Sequence, residues 1–153
     1  MSIPARLSLL SRGTPRLSRL LSRIHARAYG LTRGRGFGRW FSAPLIVLET
    51  VGRRSGKVRR TPVIYDEQGE DLVVIAANAG SDRPPAWWLN LRDAGRAVVI
   101  HHGDRRDVVP RVTEGEERER LWKAFARMYP AVDEYTSFTD RELPVIVLSP
   151  VRS

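Results

Sequence analysis

Cysteine is absent from the 153-residue chain, and histidine occurs only three times, as His25, His101 and His102. The first absence excludes a disulfide scaffold, a thiolate-held zinc or iron–sulfur centre, and a thiol nucleophile. The second leaves a histidine-built metal site poorly supplied, so no metal is expected. No apolar run approaches the roughly 20 residues that span a bilayer. Lysine is nearly missing too: of 26 basic residues only Lys57 and Lys123 are lysine. This arginine bias fits anion binding and a GC-rich genome equally well.

Acidic residues are absent from the first 48 positions, while residues 1–40 carry nine arginines. The other 113 residues balance 17 basic against 17 acidic groups. The net charge of +9 therefore belongs to an N-terminal arm, and the body is neutral. That distribution argues against an extended nucleic-acid footprint. The chain divides into a basic arm (1–40) and a globular domain (41–153).

Within the arm, Leu17, Leu20, Leu21, Ile24 and Ala28 recur at helical spacing, with Arg16, Arg19, Arg23 and Arg27 opposite them. Thr14 and Pro15 suit the start of such an amphipathic helix. It can dock on the domain, lie on an anionic membrane surface, or act as a targeting peptide. Docking is favoured, and it leaves the arginines free for the membrane. A secretory signal is not expected, because no apolar h-region is present. Residues 30–39, with four glycines and three arginines, read as a hinge.

From Pro44 the pattern changes to short β-type runs: 45–51, 58–65, 71–77, 97–101, 107–112 and 143–149. Hairpin-length links join the first to the second, the second to the third, and the fourth to the fifth, so the sheet is expected to be antiparallel. Helices are expected over 85–91 and 115–129, the latter opened by a Thr113–Glu116 capping box. Six short strands with two inserted helices suggest an α+β fold built on a small closed or split β-barrel.

Four segments can carry chemistry. Gly52–Arg60 (GRRSGKVRR) packs five cations into nine residues between two strands. Arg53, Arg54 and Arg59 can grip a phosphate bidentately, with Ser55 adding a hydroxyl. By composition alone the same stretch reads as a solvated basic hairpin, and it lacks the spacing of a P-loop. The loop after the third strand, Asn78–Arg83, leads into Pro84–Leu91, where one of the adjacent Trp87 and Trp88 can pack inward while the other lines a groove, or both can pack. Asn90 is a plausible amide ligand there. Tyr129 and Tyr135 can present hydroxyls to a substrate or close one end of the barrel. His101-His102-Gly103-Asp104 reads as an exposed hairpin turn. Acid–base candidates are few, which points to chemistry carried by a borrowed cofactor, as in hydride transfer.

LETVGRRSGKVRRTPV, PAWWLNL and the tail MYPAVDEY–SFTDRELPVIVLSP, in that order over residues 40–150, resemble the deazaflavin-dependent nitroreductases. The resemblance implies a split β-barrel of the FMN-binding, pyridoxamine-phosphate-oxidase-like type, mostly antiparallel, preceded by an amphipathic helix. It implies reduced coenzyme F420 as hydride donor, with FMN as the alternative flavin, and quinone or nitroaromatic acceptors. By position, Arg53, Arg54, Ser55 and Arg59 match residues at the cofactor's phosphate and acidic tail. Arg60, Thr61, Pro62, Val63 and Ile64 continue along the cofactor. Ile75, Ala76, Ala77 and Asn78 match the strand end beside the deazaflavin ring, and Ala86, Trp87, Trp88, Leu89 and Asn90 the helix that also borders it. Tyr129 and Tyr135 match tyrosines of the acceptor pocket. Ala77-Asn78-Ala79-Gly80 departs from the Ser-Lys-Gly-Gly or Ser-Asn-Gly-Gly of many members, and Val132 and Ile64 replace aromatic residues. A more apolar acceptor pocket is therefore expected.

The resulting expectation is a cytoplasmic F420H2-dependent oxidoreductase at the inner face of the membrane, transferring a hydride to a lipophilic quinone or nitroaromatic acceptor. A non-catalytic carrier of F420, flavin or lipid on the same barrel is the alternative.

Overall fold

The computed structural model describes residues 39–40 and 43–152, and the side chains of 43–152. The expectations for a helical arm within residues 1–38 lie outside the described residues. Seven strands are found in the described part: β1 (Arg39–Trp40), β2 (Ala43–Val51), β3 (Val58–Gln68), β4 (Asp71–Ile75), β5 (Ala97–His101), β6 (Asp104–Val112) and β7 (Val145–Pro150). Helix α1 (Ala86–Ala94) lies between β4 and β5, and α2 (Gly115–Met128) and α3 (Ala131–Tyr135) lie between β6 and β7. The first strand thus begins inside the stretch expected as a hinge.

All pairings are antiparallel, in the order β1-β2-β3-β4-β7-β6-β5. A second β2 pairing, Val47↔Ile100 to Glu49↔Val98, brings β5 back onto β2 and closes a six-stranded barrel. Closure removes the unpaired edges that an open sheet of this length would expose.

The two-residue period of the strands sorts the core into an inside and an outside. Ile46 and Leu48 of β2, Leu72 and Val74 of β4, and Ile146 and Leu148 of β7 belong to the interior cluster. The alternate residues Val73, Ile75, Val145 and Val147 form an outer cluster with Leu121 and Phe125 of α2 and Val132 of α3. Trp87, Trp88 and Leu91 of α1 join the interior cluster, so α1 plugs the barrel rather than lying on it. The groove-lining alternative for one indole is not realised: both are buried.

Three local expectations are corrected. No capping box forms, because Glu114 occupies the N-cap of α2 without a side-chain bond. Thr113 is instead buried and sends both its N–H and its hydroxyl to the Val145 carbonyl, each at 3.0 Å. His101 is not exposed in a turn. The β5–β6 loop is only His102 and Gly103, with φ of 49° and 84°, the left-handed pair that a two-residue hairpin demands. His101 therefore stays on the strand and is buried. Helix α2 stops at Met128, and Tyr129 is its C-cap.

Candidate active site

The β2–β3 connection is a compact basic turn. The Gly52 N–H donates to the Lys57 carbonyl and the Gly56 N–H to the Gly52 carbonyl, both at 2.8 Å. Ser55 Oγ accepts from the Lys57 N–H at 3.2 Å and from Arg59 at 3.4 Å. Arg53 is tied to α1: its backbone N–H and its guanidinium both donate to Asn90 Oδ1, at 3.1 and 3.4 Å. Asn90 Nδ2 in turn faces Thr50 Oγ1 at 3.5 Å. The buried amide is thus a bracket between hairpin, helix and β2.

Among the described residues, Arg53, Arg54, Lys57 and Arg59 have no carboxylate within ion-pair distance, and all four are exposed. Arg60 differs. Its Nε donates to Oε2 of buried Glu49 at 2.7 Å, and Arg105 from β6 pairs with the same carboxylate. Glu49 is the cross-strand neighbour of Arg60 in the β2–β3 register, so this pairing belongs to the barrel wall. Of the remaining expected residues in β3, Thr61, Pro62 and Ile64 are half-buried and Val63 is buried. On α1, Ala86 is exposed, Leu89 half-buried and Trp87, Trp88 and Asn90 buried.

Beyond β4 the chain makes an unusual turn. Ile75, Ala76 and Ala77 are buried, while Asn78 is exposed and its amide donates to the Arg83 carbonyl at 2.8 Å. Asn78, Ala79 and Gly80 have φ of 47°, 52° and 75°. Gly80 is required twice over. Its φ is left-handed, and a Cβ there would stand 2.7 Å from the Tyr135 carbonyl and 2.9 Å from Phe138. This close approach seats the α3 end directly on the turn.

Tyr129 and Tyr135 face each other, with hydroxyls 3.0 Å apart and ring centroids 6.4 Å apart. Both pack against the outer cluster that contains Ile75 and Ala77. Burial, reinforced by the Tyr129 hydroxyl, holds the Tyr135 phenol far above its ordinary range, so it stays protonated. Val132 is buried in the outer cluster beside these tyrosines. Trp122 Nε1 donates to Asp133 at 2.7 Å and fixes α3 to α2.

The structure thus ties the hairpin to α1 through Asn90 and the 76–81 turn to the end of α3 through Gly80, and the chain runs from that turn into α1. An open depression lined by Glu116, Glu119, Arg120, Lys123 and Arg127 involves none of these residues, and its mixed charges are those of a solvated helix face. Among the described residues, no group of three or more His, Cys, Asp or Glu is placed to hold a metal, and no helix is long and apolar enough to cross a membrane.

The sequence model of the F420H(2)-dependent quinone reductases matches residues 21–150. The chain belongs to that family. An F420H(2)-dependent quinone reductase of Mycobacterium tuberculosis is 32% identical over 137 residues, covering 84% of this chain and 89% of that protein. A second M. tuberculosis protein, provisionally given the same quinone reductase name, is 33% identical over 117 residues, covering 76% of this chain and 97% of its own. A solved F420H2-dependent reductase superposes with a TM-score of 0.64 at 32% identity, over 69% of this chain and 94% of that one. The heme storage protein HutZ of Vibrio cholerae, at 13% identity and a TM-score of 0.55 over 71% of this chain and 82% of its own, shares the fold alone. This family member is accordingly an F420-dependent oxidoreductase with a split β-barrel.

Two features escaped the sequence reading. Arg141 lies in the quoted SFTDRELPV stretch, yet it carries no local sign that its guanidinium serves backbone carbonyls more than 60 residues away. The buried Tyr65–His101 pair, 2.8 Å between Oη and Nε2, needs the β3 and β5 registers to be seen.

Proposed function

We propose that this chain binds reduced F420 through the basic β2–β3 hairpin and transfers reducing equivalents to a lipophilic quinone beside the Tyr129–Tyr135 pair. The observation that carries the reading is the cluster of four exposed, acid-free cations on a hairpin that Asn90 ties to α1 through Arg53. A phosphate with an acidic tail is the anion such a donor set suits, since guanidinium groups bind phosphate and carboxylate bidentately. When bound, the cofactor supplies a hydride. Arg53, Arg54, Arg59 and Ser55 hold its anionic end. Ile75–Asn78 and the exposed or half-buried Ala86 and Leu89 of α1 border its ring, with Thr61, Pro62 and Ile64 along its length. Arg60 acts through its bond to Glu49, as part of the wall behind the hairpin. Trp87 and Trp88 support α1 from inside the barrel.

The tyrosine pair keeps a phenolic proton in place at Tyr135 Oη, where it can be donated to a quinone oxygen as that oxygen gains charge. Nitroaromatic compounds are secondary acceptors in this reading. The Leu/Arg stripe of residues 15–29 supports peripheral attachment to the inner face of the membrane, close to a lipophilic acceptor. Co-flotation with anionic vesicles that depends on residues 1–40 is the expected result there, and arm-independent behaviour removes that part.

The test is a fluorescence titration with F420 and, in parallel, FMN, at low and high salt. Saturable, salt-weakened binding of F420 over FMN is expected. Arg53→Ala together with Arg54→Ala should weaken it about a hundredfold. Unchanged affinity in that variant shows that the anionic end binds elsewhere. Tight binding without quinone turnover makes the protein a carrier.

A further inference from the structure

The 76–81 turn is strained in a way that its own sequence does not explain. Asn78 and Ala79 are both left-handed; asparagine enters that region readily, whereas alanine does not. A left-handed alanine persists only where the surroundings over-determine it. Locally, the Gly80 N–H donates to the Ala77 carbonyl at 2.9 Å, the Ser81 N–H to the Asn78 carbonyl at 3.0 Å, the Asn78 amide to the Arg83 carbonyl at 2.8 Å and the Arg83 N–H to Ser81 Oγ at 3.3 Å, none of which reaches back before Ala77.

The decisive restraint comes from Arg141, in the segment leading to β7. Its Nη1 donates to the Ala76 carbonyl at 3.2 Å, its Nη2 to the Ala77 carbonyl at 2.8 Å, and its Nε to the Ser81 carbonyl at 2.7 Å. One planar group thus grips the backbone immediately before and immediately after the left-handed residues. Among the described residues no carboxylate lies within ion-pair distance of Arg141, so its donors are spent on the turn rather than on an acid. A lysine cannot replace it. One ammonium on a flexible stem cannot present a rigid fork to three carbonyls at once.

We infer that Arg141 is a positioning residue of the cofactor site, which fixes the Ala76–Ser81 turn so that the wall beside the cofactor ring is set before the cofactor arrives. The inference rests on the reading that Ile75–Asn78 borders that ring. Arg141 is separate from the basic hairpin, so the two should divide the kinetics. Loss of the hairpin arginines loosens the hold on the anionic tail, whereas loss of the clamp misplaces the reacting ring. A displacement of about 1 Å at a reacting centre can cost about a hundredfold in rate.

The test uses the full chain with Arg141→Lys and Arg141→Met, F420H2 as donor and menadione as quinone probe. Circular dichroism checks the fold, and amide hydrogen exchange follows residues 78–81. The expected result is a fall in kcat of about 30- to 100-fold, with KM for F420H2 moving less than about threefold, and faster exchange at Gly80 and Ser81, whose N–H groups are bonded within the turn. Arg53→Ala with Arg54→Ala should raise KM instead. An unchanged kcat in both Arg141 variants, or a KM that rises in step with any loss of kcat, overturns the inference. If Arg141→Met alone is unfolded, Arg141→Lys decides. Unfolding of both assigns Arg141 a purely structural role and likewise overturns it. A wild-type chain that neither binds nor oxidises F420H2 defeats the proposed function itself, whereas an active wild type matched by its variants defeats only the role of Arg141.

Discussion

Asn90 Oδ1 accepts two hydrogen bonds from one residue, the backbone N–H and the guanidinium of Arg53, across 37 positions of sequence. The amide is buried while the arginine is exposed, so a rigid helix sets the direction of a surface cation. Asn90→Ala leaves the Arg53 N–H and Thr50 hydroxyl without that partner. We expect a stability loss of about 1–3 kcal/mol in chemical denaturation and weaker F420 binding in the same preparation. Unaltered affinity at reduced stability would confine Asn90 to a structural role.

The Tyr129–Tyr135 hydroxyl pair makes a prediction about pH. The Tyr135 phenol is held above its ordinary value of 10.0, first by burial and then by its bond to Tyr129. Its proton is therefore retained throughout the neutral and mildly alkaline range. Quinone reduction should show no alkaline loss attributable to Tyr135 below about pH 10. Tyr135→Phe should lower kcat by about 100-fold or more if its proton reaches the acceptor, as is usual for a general acid. A wild-type rate in Tyr135→Phe would remove the proton-donor role.

His101 predicts a stability slope on the acid side. Burial, followed by the neighbouring His102 and Arg106, lowers its pKa from 6.5, outweighing the raising influence of Glu67 and Asp104. In the window between the lowered folded value and 6.5, the unfolded chain binds a proton that the folded chain does not. Stability therefore holds above about pH 6.5 and falls as the pH drops through that window. His101→Gln, which keeps a polar partner for Tyr65 but does not titrate, should flatten the pH dependence of the urea midpoint between pH 7 and 5. Parallel slopes in the two proteins would show that other groups set it.

Gly80 tests the contact between the turn and α3. Gly80→Ala forces a side chain into a left-handed residue and places Cβ 2.7 Å from a backbone carbonyl. A loss of about 1–3 kcal/mol is expected in thermal or chemical unfolding, with a lower rate of quinone reduction from the displaced turn. A neutral outcome would mean that Thr136–Phe138 yields more easily than its packing indicates.

Much of the barrel is legible in the linear pattern. Ala97–His101 lies where the apolar run places it, and β2, β3, β4 and β7 differ from expectation mainly at their ends. Their short apolar stretches and intervening turn residues are local properties. The strand β6 begins three residues earlier than its apolar run, because Asp104, Arg105 and Arg106 pair with His101, Ile100 and Val99. Ladder hydrogen bonds, not hydropathy, make that extension. Thr113 reads as a cap but is drawn instead to Val145 by the β6–β7 register. The hairpin arginines and the tyrosine pair could be picked out by residue type, but their relation to α1 and to the 76–81 turn could not.

The charge division between arm and body and the antiparallel strand pattern follow from composition and period along the chain, whereas the family and its cofactor come with the resemblance of its ordered motifs. Which arginines are open and which are spent depends on contacts between distant segments. Arg60 faces a buried Glu49 across a strand pair, Arg141 reaches three carbonyls in a distant turn, and Arg53 and Arg54 stand without an acid. The same side chain takes each role because a guanidinium binds whatever acceptors the fold brings within about 3 Å, and that is set by register and closure.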